Sequence, residues 1–217
     1  MRHKKPTLYS EFEEKLNVYS HGAGFLLSLI ALILLITRAV QLQNLWHILS
    51  FPVFGISLIV LYLASTLYHS SKTEHIRKRL QVFDHAAIYV LIAGTYTPFA
   101  LVTLEGTTGW TIFAIIWSMA FIGIVLKLFF TGRFEVISTL MYVAMGWLIV
   151  FNFNVLSENL YRTGLIWLVA GGIAYSVGAI FYSINRIKLN HAIFHFFVLA
   201  GSFCHFVTVY FYVTPKA

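Results

Sequence analysis

Seven apolar runs follow one another along the chain, separated by short polar links. They cover about 22–40, 46–68, 83–104, 110–130, 136–156, 164–184 and 190–213. A helix needs ~20 predominantly apolar residues to cross the hydrocarbon core. The pattern therefore predicts an all-α fold, a bundle of seven transmembrane helices. Residues 1–21 form a polar N-terminal segment, 22–213 the transmembrane domain and 214–217 a short tail. The first run is too long for a signal-peptide core, and no small-x-small site follows it, so it reads as a retained helix. Gly94 and Pro98 interrupt the third run. A proline there frees a backbone carbonyl and kinks the helix, with Tyr96 and Thr97 placed to mend it.

Composition agrees with the pattern. Of 217 residues 59% are hydrophobic and 11% charged, too little charge to clothe a soluble domain. The net charge of +7 reports orientation rather than a nucleic-acid partner, because no basic stripe with interleaved aromatics exists. With the N-terminus in the cytoplasm, the cytoplasmic side holds Arg2, Lys4, Lys5, Lys15, Lys72, Arg77, Lys78, Arg79, Lys127, Arg133, Arg186 and Lys188. The other side holds only Arg38, Arg162 and Lys216. This imbalance puts the N-terminus inside and the C-terminus outside, as an odd number of spans requires. Trp46, Trp110 and Tyr161 fall near outer ends, where interfacial aromatics belong. The single cysteine, Cys204, has no internal disulfide partner.

Among the acidic residues only Asp84 lies well inside a span, and five histidines (His69, His85, His191, His195 and His205) lie in or at the edge of spans. Buried ionisable groups in a bilayer are costly and point to function. The topology sets His69, Asp84, His191 and His195 at one depth, just under the cytoplasmic face. His191 and His195 are spaced i, i+4 and project from one helix face. With His69 they offer three nitrogens and an open fourth position, a catalytic zinc pattern. The donor set disfavours magnesium, calcium and iron–sulfur clusters. The same histidines also serve as interhelical hydrogen-bond partners if no metal binds. Ser65 stands one turn before His69 on the same face. Its hydroxyl can face the site or back-bond to the carbonyl of residue 61. His205 lies ~15 Å up the helix from His195, beyond reach of the same metal, and reads as a cavity-lining or interhelical residue. Asn17 and His21, with Glu14, sit at the inner mouth, either supporting the site or capping the first helix. His47 and His75 read as solvated link residues. Gly171, Gly172, Ala174 and Gly178 allow close helix contact, within or between chains, so oligomeric state stays open.

Three motif blocks carry a resemblance that spans nearly the whole chain. The first is Glu14-x2-Asn17-x2-Ser20-His21. The second runs from Ser65 through His69, Leu80, Asp84 and His85 to Ala93-Gly-Thr-Tyr-Thr-Pro98. The third is Asn190-His191-x3-His195, continuing to Gly201-Ser-x2-His205-Phe. In these blocks the chain resembles the progestin and adipoQ receptor family, most closely its bacterial hemolysin III branch. The resemblance implies seven helices, a cytoplasmic N-terminus and a bacterial cell-membrane location. It implies zinc on His69, His191 and His195, with Asp84 meeting the metal through water. A link between this family and alkaline ceramidases implies hydrolysis of lipid amide or ester bonds. The chain lacks the long N-terminal region of the adiponectin receptors, which removes any ground for a hormone ligand. It also carries His85 where they carry tyrosine, which leaves open whether His85 tunes Asp84 or packs.

The resulting expectation is a zinc-dependent hydrolase of acyl lipids acting in membrane lipid homeostasis. Zinc acidifies water to ~7 and polarises a carbonyl. Asp84 takes the proton as general base and Ser65 donates to the developing oxyanion. Membrane lipids or fatty acids are the expected partners. The rival readings are a membrane-state sensor with a structural zinc, a hemolysin-like pore-former, and a proton-coupled transporter. No ring of charge favours a pore and no inverted repeat favours a transporter.

Overall fold

A computed structural model describes residues 9–104, 106–131, 133–184 and 186–214. Arg2, Lys4, Lys5, Glu105 and Lys216, with most of the 214–217 tail, lie outside the described residues. The structure is all-helical: α1 (Glu11–Gln41), α2 (Leu45–Ser70), α3 (Glu74–Pro98), α4 (Gly106–Phe130), α5 (Glu135–Gly146), α6 (Phe153–Asn159), α7 (Arg162–Ser183) and α8 (Asn190–Tyr212). A π-helical turn, Phe99–Leu104, continues α3, and a 3-10 turn, Leu148–Asn152, joins α5 to α6. Taking α5 and α6 as one broken span, the described residues hold seven helices long and apolar enough to cross a membrane.

Two helices begin earlier than their apolar runs. The α1 helix starts at Glu11, where Ser10 caps it by accepting from the Glu13 amide at 3.2 Å. Glu11, Glu13 and Glu14 in its first turn complement the positive helix end. At 31 residues it rises ~46 Å, well beyond the ~30 Å hydrocarbon core. Its polar first turns belong to the bundle: Glu13, Asn17, Ser20, His21 and Gly24 are buried on one face. The capping expectation for Asn17 and His21 is therefore corrected, since Ser10 takes that role. The α3 helix starts at Glu74 and buries Arg77, Gln81, Asp84 and His85 at helical spacing. A hydropathy pattern cannot see such turns, because polar residues there face other polar residues inside the protein.

The third span is the axis of the molecule, 78% buried over its most apolar window against 11% for the fifth. Around it α1 packs on α2, α2 on α3, α3 on α4, and α7 on α8, with α8 closing back on α1. Leu26, Ile30, Ile33, Phe121, Ile122, Leu140, Ile166 and Phe203 are exposed on the outside, as lipid-facing side chains should be. Trp46 and Trp110 meet edge-on at 5.6 Å at the end far from His69.

Pro98 acts as expected in disturbing the helix, and Thr97 bonds the Ala93 carbonyl at 2.8 Å. Tyr96 does something else, and the expectation for it is corrected. Its hydroxyl donates to the Gly146 carbonyl and accepts from the Ile149 amide, both at 2.9 Å. It thereby satisfies backbone groups opened by the break after α5. Trp147, at that break, donates to Ser176 on α7 at 2.9 Å. His47 is also corrected: it is 1% exposed, and its Nε2 bonds the Val213 carbonyl at 3.2 Å, tying α2 to the end of α8. The small residues of α7 are used inside the chain, Gly171 against His205, Gly172 against Trp147 and Gly178 against Phe197.

Candidate metal centre

His69 ends α2, and His191 and His195 begin α8, so these two helices, each packed on the long α1, converge at one end of the bundle. The three imidazoles converge through Nε2. His191 Nε2 lies 3.1 Å from His69 Nε2 and 3.0 Å from His195 Nε2. The three ligand atoms all fall within 4.8 Å of one another and the residues are buried. Tetrahedral zinc–nitrogen bonds of about 2.05 Å set nitrogens about 3.3 Å apart, close to the spacing found.

The outer nitrogen of each ring has its own partner. His69 Nδ1 donates to Glu14 Oε2 at 2.7 Å, with the Asn17 amide 3.4 Å away. The Ser20 hydroxyl donates to the Asn17 carbonyl at 3.2 Å, leaving its oxygen to accept from His195 Nδ1 at 3.5 Å. His191 Nδ1 meets the Tyr9 hydroxyl at 3.0 Å. Burial pushes the Tyr9 phenol above its ordinary value, so it stays neutral and can donate to or accept from that nitrogen. With Nδ1 protonated, Nε2 of His69 and of His195 each present a lone pair to the same point. Converging lone pairs repel one another unless a cation lies between them, and partners on the far nitrogen are the usual support of metal-bound histidine. The donor set fits a borderline-soft divalent ion such as zinc.

Nearly all of that support comes from α1 and the residue before its cap. Glu14 also pairs with Arg77 through Oε1. Arg77 donates to the carbonyls of Tyr68 and Ser71 at 3.4 and 3.2 Å and stands 4.5 Å from the Tyr68 ring centroid. The Glu13 carboxylate accepts from the His191 amide at 3.2 Å. It caps α8, whose preceding residue Leu189 is left-handed and provides no side-chain cap. His21 stacks on His195 with centroids 3.5 Å apart and planes 7° apart. The sequence placed Asn17 and His21 at the inner mouth and read Arg77 only as an orientation charge, with nothing at this centre for Tyr9 or Glu13. Acids three or four residues from a cap read as dipole partners, and only the fold turns them towards another helix.

The centre opens on a cavity of about 150 Å³, bounded by α1, α2, α3, α4, α5, α7 and α8. His191, His195 and His21 line its floor with Asp84, His85 and Ser65. The Ser65 hydroxyl is buried beside Asp84 without a well-directed hydrogen bond among the described residues. Its neighbours Thr66 and Ser70 do back-bond to their own helix, at 2.7 and 2.6 Å. Asp84 is not part of the nitrogen cluster. His85 lines the wall while its carbonyl accepts from Tyr142 at 3.0 Å. Lys127, expected among the basic link residues, is buried and lines the same cavity.

Comparison with known sequences now places this architecture. A profile of the family described as Haemolysin-III related matches residues 9–206. The chain belongs to that family. It is 49% identical over 216 residues to Hemolysin-3 of Bacillus cereus, covering 99% of each chain. It is 49% identical over 200 residues to a Hemolysin-3 homolog of Bacillus subtilis (strain 168), covering 92% of this chain and 94% of that one. It is also 28% identical over 218 residues to the human monocyte to macrophage differentiation factor, covering 96% and 87%. As a haemolysin-III related protein with seven apolar helices, it is a multi-pass cell-membrane protein.

Proposed function

We propose that this haemolysin-III related protein is a zinc-dependent hydrolase of acyl-lipid amide or ester bonds, serving membrane lipid homeostasis, with its metal end facing the cytoplasm. One observation carries the reading. Three histidine nitrogens converge beside a largely apolar cavity that is lined by two of these histidines and also bears a carboxylate and, next to it, a buried hydroxyl. A metal that only braced helices would be expected to take a fourth protein ligand, and none joins the three histidines among the described residues.

His69, His191 and His195 would hold the zinc. When bound, it supplies a Lewis acid for the substrate carbonyl and acidifies water to ~7. The chain supplies the rest. Asp84 takes the proton from the attacking water and returns it to the leaving amine or alcohol. Ser65 Oγ, buried beside Asp84, donates to the carbonyl oxygen as negative charge builds on it. Leu61, Ile88, Ile92 and Val198 clothe the acyl chain and exclude water.

Two measurements test this. Elemental mass spectrometry should find about one zinc per chain, lost in a His191→Ala/His195→Ala double variant. In vesicles containing a fluorescent acyl-sphingoid amide, Asp84→Asn should keep the zinc and lose ~100-fold or more of the hydrolysis rate. Zinc without hydrolysis in the wild type would leave the metal as a pin for α1, α2 and α8 and favour a membrane-state sensor.

A further inference from the structure

The inward face of α4 ends on a charge. Its buried residues are Gly109, Ile112, Ile116, Ala120, Gly123 and Lys127, three or four apart along one face. All but the last are small or apolar, as a face turned into a bundle should be. Lys127 is 4% exposed and one turn from the end of α4. A lysine so placed in a membrane helix ordinarily snorkels outward to the interface. This one belongs to the inward face and lines the cavity.

Its position is set by α3. Gly109 lies against Ala100 and Gly123 against Tyr89, so α4 runs antiparallel to α3 and its π turn. One turn further along α4 therefore lies opposite one turn back along α3. That pairs Lys127 with His85, the neighbour of Asp84, and all three line the cavity. The ammonium is close enough for its charge to act on the His85 ring and on the Glu135 carboxylate. No ion pair joins it to Glu135 or to another carboxylate among the described residues. It makes no hydrogen bond among them either, yet Nζ is not one of the side-chain nitrogens sealed away without a partner. The ammonium thus keeps an open side, on a buried residue that lines the cavity. An unpaired charge in such surroundings is costly, and an anion that reached it would relieve that cost.

We propose that Lys127 is an anion subsite, which holds the phosphate of an acyl lipid's headgroup beside the metal. Lysine binds phosphate as a point charge and needs no fixed geometry. The pairing with His85 sets the subsite at the level of Asp84, at the metal end of the cavity. A carboxylate released by hydrolysis arises at the metal itself, so a second anion at that level is a headgroup anion. Glu135 opposes an anion there, but it is part-exposed and solvent weakens its field. The inference rests on the reading of the cavity as an acyl-lipid site and narrows its ligands to phosphate-bearing lipids.

The test compares a radiolabelled hexadecyl glycerol ether with its phosphate monoester. Neither has an acyl bond to cleave, so binding is read without turnover. Binding to the full chain in nanodiscs is measured by scintillation proximity against empty nanodiscs, with zinc content and melting temperature recorded for every variant. The phosphate ether should bind the wild type about tenfold or more tighter than the neutral ether, as a charge-assisted hydrogen bond would give. Lys127→Met keeps the apolar stem and should bind both ethers equally at the neutral level, with zinc content unchanged. Lys127→Arg keeps the charge and should keep the preference. Inorganic phosphate at the concentration of the lipid should displace neither ether. A preference that survives Lys127→Met puts the phosphate on the metal and overturns the subsite. Equal wild-type affinities overturn it and leave the acyl-lipid cavity standing. Displacement by inorganic phosphate overturns the lipid as the source of the anion. Failure of both ethers to bind overturns the cavity reading and the subsite with it.

Discussion

Glu14→Gln isolates the contribution of the first helix to the metal centre. The carboxylate uses both oxygens, one on His69 Nδ1 at 2.7 Å and one on the Arg77 guanidinium. An amide has one acceptor oxygen, so its NH2 must face a donor on one side. Removing the partner of a metal-bound histidine typically weakens metal binding 10- to 100-fold. That is ~1.4–2.8 kcal/mol, within the range expected for a lost hydrogen bond to a charged group, about 1.5–3 kcal/mol. Only 17% of the Glu14 side chain and 4% of Arg77 is exposed, so solvent screens little of the effect. The assay strips the protein, titrates it in chelator-buffered zinc, and records occupancy beside the melting temperature of the metal-free form. Affinity should fall by at least tenfold. An unchanged zinc affinity with a lowered metal-free melting temperature would refute the reasoning and reduce Glu14 to a brace between α1 and α3.

Three further expectations follow from the packing. Gly109→Ala sets a Cβ 2.1 Å from the Ala100 carbonyl oxygen in the π turn, a backbone atom with no rotamer to escape into. It should cost ~1–3 kcal/mol, seen as a lower melting temperature with zinc affinity intact, since the site is at the other end. Tyr96→Phe removes both hydrogen bonds at the break after α5 and should cost ~1–3 kcal/mol. Hydrogen exchange should quicken at Ile149, and unchanged protection there would show that water serves equally well. His47→Leu leaves the Val213 carbonyl without its partner and should fray the end of α8 in the same experiment. A neutral result would return His47 to the class of solvated residues.

The seven spans, their order and the level shared by His69, Asp84, His191 and His195 were legible in the sequence. Each depends on chain length, on the 3.6-residue period or on alternation across a membrane, all one-dimensional quantities. The His191–His195 pair was legible for the same reason, since four residues return a helix to the same face. Tertiary structure alone decided what stands behind those ligands. Glu14 reaches His69 across 55 positions and Tyr9 reaches His191 across 182. The start of α1 at Glu11 and of α3 at Glu74 hid behind polarity, because hydropathy cannot distinguish a polar turn facing water from one facing another helix. The turn of Tyr96 towards Gly146, the bond from His205 to the Leu168 carbonyl and the burial of Lys127 depend on which helix lies opposite. Periodicity assigns a residue to a face of its own helix; only packing determines what that face meets.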